Sequence, residues 1–144
     1  MTITFLGFLL WVVPNSSPSS LERGDQEFAR INYPRAEAIY DSVLATSADS
    51  VDALWRLARV YVCMADVASQ NQKLDLYRQA EAFACRSIQG DSMKSEAHTW
   101  RAAALGNIAM FEGSKTKVKL CHLIKQELDW SIRLNPVDDI AHSI

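Results

Sequence analysis

The side chains in this chain that could do chemistry are few. They are His98, His122 and His142, Cys63, Cys85 and Cys121, and a run of lysines at Lys115, Lys117, Lys119 and Lys125. A structural zinc site draws four histidine or cysteine ligands, usually in closely spaced pairs. No C-x-x-C pair occurs, and the three histidines lack ligand spacing. A thiol nucleophile needs its base within hydrogen-bond reach; Cys121 and His122 are sequence neighbours, and neighbours on a helix point about 100° apart. The glycines (Gly7, Gly24, Gly90, Gly106, Gly113) form neither G-x-G-x-x-G nor G-x4-G-K-[ST], so no phosphate-cradling loop is present in the sequence. With no nucleophile, base and orienting group to assemble, the expectation is a non-enzyme without cofactor or metal. The lysines remain. From Gly113 to Lys125 they occur with no acid among them, which suits contact with an anionic protein tail or lipid head group and equally suits a solvated loop and helix start. Lys115, Lys117 and Lys119 cannot all share one helical face.

Composition narrows the class. At 144 residues with 49% apolar and 22% charged residues, the chain is long enough for one domain with a real core. A formal net charge of −2 gives no global attraction to nucleic acid, so any partner must be recognised locally. Three cysteines, odd in number, read as reduced thiols in a reducing compartment, packing as small hydrophobes.

The elements that must position these groups repeat. Ala36-x3-Tyr40-x2-Val43-Leu44, Ala80-x3-Ala84-x2-Ser87-Ile88 and Ile124-x3-Leu128-x2-Ser131-Ile132 are each displaced from the next by 44 residues. Glu96-Ala97-His98-Thr99-Trp100 returns 44 positions later as Ile140-Ala141-His142-Ser143-Ile144, placing His98 and His142 at one repeat position with a structural role at a helix start. A period of this size marks a helical solenoid, whose units bury their apolar faces only by stacking. Ser19 and Glu22 have the form of a capping box opening a helix to about Ile31, with Leu21, Gly24, Phe28 and Ile31 on one face. Pro34 opens a second helix to about Leu44. Ser50 caps a third, where Leu54, Leu57, Ala58, Tyr61, Ala65 and Ala68 recur at helical spacing. A fourth, from about Lys73 to Gln89, is expected to stop at a left-handed Gly90. A fifth runs from about Ser95 to Met110, and a sixth from about Thr116 to Leu134, closed by Asn135-Pro136. No strand-like alternation is found, so the expected class is all-α.

Each hairpin resembles a tetratricopeptide repeat. Trp55 and Trp100 stand for the tryptophan of its first helix, and Ala36/Tyr40, Ala80/Ala84 and Ile124/Leu128 for the packing pair of its second, with Asn135-Pro136 as terminator. Small residues there let helices approach closely while a bulky group fills the adjoining hole. The fold expected is a right-handed solenoid of about three such hairpins. An ordinary unit is about 34 residues; extended helices and a longer loop within the hairpin are expected to absorb the excess. This elongated form is similar to the regulator of microtubule dynamics family, from about Leu21 onward. The segments that carry the likeness are Leu54-Trp55-Arg56-Leu57-Ala58-Arg59, Tyr77…Ala80-x2-Phe83-Ala84, Ser95-x2-His98-x-Trp100, Phe111-Glu112-Gly113-x-Lys115-x-Lys117 and Ile124-Lys125…Ile132-x-Leu134-Asn135-Pro136. Asp129-Trp130 departs from it, standing where plainer helix residues are expected.

The resemblance implies a non-enzymatic scaffold, cytoplasmic and associated with the cytoskeleton, that binds microtubules or another protein through its concave face. One branch of the family implies instead a module that binds anionic phospholipid at the mitochondrial surface. On either reading Trp55, Ala80, Ala84, Trp100, Ile124 and Leu128 are repeat-packing residues, Lys115, Lys117, Lys119 and Lys125 are the candidate contact, and nucleic acid is not a partner. The domain expected is 19–144, cut short at its C-terminal end, so that Leu123, Ile124, Leu128 and Ile132 lose cover and self-association follows. Residues 1–18 read as an apolar leader and a Pro/Ser linker. Ile3 to Val13 are uncharged and too short to cross a membrane alone. They have no lysine or arginine ahead of them, so secretion is not expected, and the sequon at Asn15 would matter only with it.

Overall fold

A computed structural model describes residues 18–144; the apolar leader and nearly all of the linker expected at 1–18 lie outside the described residues. Those residues form seven helices and no strand: α1 (Ser20–Ala29), α2 (Tyr33–Thr46), α3 (Val51–Val67), α4 (Gln70–Gly90), α5 (Ser95–Ala109), α6 (Ser114–Leu134) and α7 (Asp139–Ser143). Local chemistry sets where they begin. The Glu22 amide donates to Ser19 Oγ at 3.2 Å while the Ser19 amide donates to the Glu22 carboxylate at 2.6 Å, closing the capping box of α1. Such a cap contributes about 1 kcal/mol by satisfying amides that have no partner inside the helix. Pro34 lies in the first turn of α2; Ser50 accepts from the Ala53 amide to open α3; Asp138 accepts from the Ile140 and Ala141 amides to open α7.

The period is visible in the helix boundaries. α2, α4 and α6 end at residues 46, 90 and 134, and α3, α5 and α7 begin at 51, 95 and 139, each 44 apart. Ser87 Oγ donates to the Val51 carbonyl at 3.0 Å, and Ser131 Oγ, one period later, to the Ser95 carbonyl at 3.2 Å. Each fully buried serine therefore ties the end of a second helix to the start of its own first helix. His98 Nε2 meets the Ser92 carbonyl at 2.9 Å and His142 Nε2 the Pro136 carbonyl at 3.0 Å, the same contact one period on. The shared histidine position holds a turn, as its spacing implies.

Each helix packs on the next in sequence, and α3 also packs on α5 and α1 on α3, while α2, α4 and α6 make no comparable contact with one another. The hairpin stack therefore curves with α1, α3 and α5 on its inner, concave side. One buried cluster joins Ala36 and Tyr40 of α2 to Leu57 and Val60 of α3. A second joins Val62 and Ala65 of α3, Tyr77 and Ala80 of α4, and Ala104 and Ile108 of α5.

Three local expectations are corrected. Gly90 has no positive φ and is the last residue of α4. A Cβ there would stand 2.7 Å from Val51 Cγ2, so the glycine allows close approach of α4 to the start of α3. Ile31 lies outside the α1 face, at φ 61° and 72% exposed, because the chain reverses there between α1 and α2. A β-branched residue in that left-handed region costs about 1–2 kcal/mol. The hairpin loops are short; the extra length sits in the second helices, since α4 and α6 are each 21 residues.

Candidate functional site

On the inner side, aspartate and arginine side chains from successive first helices meet. Arg56 and Arg59 of α3 reach Asp25 of α1 at 3.0 and 2.7 Å. Tyr40 of α2 donates to the same carboxylate at 2.7 Å. Burial pushes the Asp25 carboxyl up, but the hydrogen bonds of Tyr40, Arg56 and Arg59 and the Arg56 charge outweigh it, leaving the pKa below the usual value. The Arg59 guanidinium lies 3.8 Å over the Phe28 ring and 5.3 Å from that of Trp55, and Arg56 stacks on Trp55 at 4.3 Å. Asp52, in the first turn of α3, takes Lys94 at 2.7 Å and the Trp55 indole at 3.2 Å.

A second network spans α4, α5 and α6. His98 Nδ1 meets the Glu127 carboxylate at 2.5 Å, Arg101 reaches the other oxygen at 2.6 Å, and Arg101 Nε also reaches Glu81 at 3.2 Å. The Glu127 side chain is only 7% exposed. Burial alone would lower the His98 pKa, but the hydrogen bonds to Glu127 and the Ser92 carbonyl, with the Glu127 charge, raise it above the ordinary value. Both ring nitrogens face acceptors, and only the imidazolium can donate to both. Burial, helped by a hydrogen bond to Glu81, pushes the Cys85 thiol up to about 12, so it is a protonated donor and no nucleophile. Cys63 is half-buried, and Cys121 is exposed on α6, contrary to its expected place among small core residues. Among the described residues no group of three or more His, Cys, Asp or Glu side chains is placed to hold a metal ion.

The structure puts all four lysines on α6, not in a loop. Lys115, Lys119 and Lys125 are exposed and Lys117 is half-buried. Lys125 pairs with Asp129 at 2.7 Å; among the described residues Lys115, Lys117 and Lys119 make no ion pair. Ala80 and Ala84 are fully buried, Trp55 is 8% exposed, and Trp100, Ile124 and Leu128 are half-buried. The two tryptophans are not equivalent: Trp100 packs on the α3–α4–α5 cluster, whereas Trp55 faces arginines. They are 45 residues apart, one more than the period. Glu127 escaped the sequence reading although a signal was present, an acid between Ile124 and Leu128 on the packing face of α6. An apolar cleft near 630 Å³ opens between α2, α3 and α4, lined by Tyr33, Pro34, Met64, Val67 and Leu76.

Arg56, Arg59, Lys94 and Arg101 are thus matched by acids inside the fold, and Lys115, Lys117, Lys119 and Arg133 make up a group of cations on α6 that no described acid pairs. The pairs with Asp25, Asp52 and Glu81 join neighbouring hairpins.

A solved structure with the same architecture is the second TPR domain of human RPAP3, determined by NMR in complex with the HSP70 peptide SGPTIEEVD. The likeness has a TM-score of 0.63 at 22% identity and covers 87% of this chain and 88% of that one. Identity this low shows the fold alone, a tetratricopeptide-like solenoid. Regulator of microtubule dynamics protein 1 of Bos taurus is 32% identical over 92 residues, 62% of this chain and 29% of that protein. Regulator of microtubule dynamics protein 2 of Homo sapiens is 32% identical over 95 residues, 65% of this chain and 23% of that protein. The chain thus spans less than a third of the length of either relative. The family model described as Regulator of microtubule dynamics protein 1-3 matches residues 20–144, nearly everything that the structure describes. On that match, and on the 44-residue hairpins that underlie it, the chain belongs to the regulator of microtubule dynamics protein 1-3 family.

Proposed function

We propose that the chain is a non-enzymatic scaffold that holds tubulin in the microtubule lattice against its hairpin stack. The observation that carries this reading is the segregation of charge. Arg56, Arg59, Lys94 and Arg101 are bound within the fold by Asp25, Asp52, Glu81 and Glu127, whereas Lys115, Lys117 and Lys119 on α6 are not engaged by any described acid. An anionic protein surface can therefore be met on α6 without dismantling an internal pair, while the curved inner side contributes shape. The family membership supports a protein partner, and the cytoskeleton is then the place of work. No described helix is long and apolar enough to cross a membrane.

A second reading, contact with anionic phospholipid at an organelle surface such as the mitochondrion, is favoured by Val118, 59% exposed among the lysines. Co-sedimentation with microtubules, run beside flotation with phosphatidic-acid vesicles, separates the two. The scaffold reading expects pelleting with microtubules, reduced when Lys115, Lys117, Lys119 and Lys125 are neutralised together; flotation without pelleting would replace it by the lipid reading. Self-association is a further proposal, supported by the shallow apolar surface of Ile124, Leu128, Ile132 and Ile144 beside α7. Light scattering that reports one monomer mass at all concentrations would remove it.

A further inference from the structure

The unpaired cations of α6 are not arranged as their order in sequence suggests. At 3.6 residues per turn, Lys115, Lys119, His122, Gln126, Trp130 and Arg133 fall within an arc of about 80°. All six are exposed. Lys117 is about 160° round from Lys115 and half-buried, turned towards the side that carries the buried Glu127 and Ser131. From Lys115 to Arg133 the line runs about 27 Å along the helix. Lys115, Lys119 and Arg133 make no ion pair among the described residues. The acid at its border, Asp129, is engaged by Lys125 at 2.7 Å. Trp130, 44% exposed, is held in place by stacking on the buried His98, with ring centroids 6.3 Å apart.

We infer that this outward face of α6 is a docking ridge for an extended acidic polypeptide segment, made of Lys115, Lys119, His122, Gln126, Trp130 and Arg133 and excluding Lys117. The inference rests on the proposed scaffold function and specifies where and how its partner is held. Charge complementarity selects the occupant: positive groups at both ends of a narrow line match a strand of carboxylates. A glutamine and a fixed indole between them give hydrogen bonds and a flat apolar contact for the peptide stem. A membrane is the poorer fit, because a helix lying on a bilayer inserts an apolar face. On α6 Val118 and Trp130 are exposed singly, while Leu120, Leu123, Ile124 and Leu128 are half-buried on the packing side.

The test is an anisotropy titration of the chain into a fluorescein-labelled glutamate peptide of about eight residues, the number that covers about 27 Å when extended. Wild type should bind saturably and more weakly as salt rises. The triple variant K115Q/K119Q/R133Q should bind about tenfold more weakly, as expected for the loss of three exposed charge contacts, and Lys117→Gln should bind as wild type does. Circular dichroism of each variant checks that the helices are intact. Absence of binding to wild type, equal affinity of the triple variant, or equal weakening by Lys117→Gln would each overturn the ridge. So would vesicles of phosphatidic acid that bind wild type when the peptide does not. Pelleting of the same proteins with microtubules keeps the two levels apart. If wild type and the triple variant pellet alike, the ridge fails while the scaffold reading stands; if wild type stays in solution, the scaffold reading fails whatever the peptide does.

Discussion

Replacing Gly24 by alanine should unsettle the first hairpin, although the same exchange elsewhere in this fold should strengthen it. Gly24 is buried inside α1, where alanine ordinarily gains about 1 kcal/mol in helix propensity. A Cβ at this position would stand 2.3, 2.7 and 2.9 Å from three atoms of the Tyr40 ring. The ring cannot swing aside, since it is fully buried and its hydroxyl both donates to Asp25 at 2.7 Å and accepts from Arg59 at 3.2 Å. Overpacking of this kind costs about 1–3 kcal/mol, and three contacts this close put the cost at the upper end. Against the propensity gain, the net loss is about 2 kcal/mol, or about 7 °C in Tm for a domain of this size. Gly106, inside α5, has nothing within 4 Å of its Cβ position, so Gly106→Ala should gain up to about 1 kcal/mol. Urea denaturation followed by circular dichroism measures both. Shifts of the same sign would refute the claim that Gly24 is there to admit the Tyr40 ring.

Glu127→Gln removes the one carboxylate shared by His98 and Arg101 and should cost about 3 kcal/mol of unfolding free energy at neutral pH, read from the same urea curves. The His98 pKa is raised in the fold, so its contribution is complete below the unfolded value of about 6.5 and is lost as pH rises through the folded value. The urea midpoint of wild type should fall across that window, and in Glu127→Gln the fall should be shallower; an unchanged slope would contradict the imidazolium assignment. Ser87→Ala breaks a single buried hydrogen bond and should cost about 1 kcal/mol, while Ser131→Ala, which also loses contacts with Thr99 and Asp138, should cost more. A smaller cost for Ser131→Ala than for Ser87→Ala, read from the same urea curves, would argue against the network around Ser131.

The architecture was legible because it depends on what a single chain displays: spacing. Packing pairs 44 residues apart place second helices that end 44 apart, and Ser19, Pro34 and Ser50 mark starts through chemistry local to one turn. Positions settled by contacts between distant helices were less legible. Gly90 looked like a terminator because glycine often is one, and only the approach of Val51 shows that the missing side chain matters more than a left-handed backbone. Trp55 and Trp100 are alike as residues, yet a displacement of one position turns them to different neighbours. The charged network of Glu81, Arg101, Glu127 and His98 joins three helices; its one trace in the sequence is an acid standing among apolar residues of α6. The lysines stand out as a group because no acid interrupts them, but which of them face outward depends on which side of α6 packs inward, the side that carries Glu127 and Ser131.

That the stack holds a partner without transforming it is tested most directly by hydrogen–deuterium exchange of the chain alone and mixed with assembled microtubules. The account predicts microtubule-dependent protection concentrated in peptides from α6, with the α1–α2 hairpin exchanging as it does in the free protein. No added protection anywhere at saturating microtubule concentration, or protection confined to the α1–α2 hairpin with α6 unchanged, would contradict it.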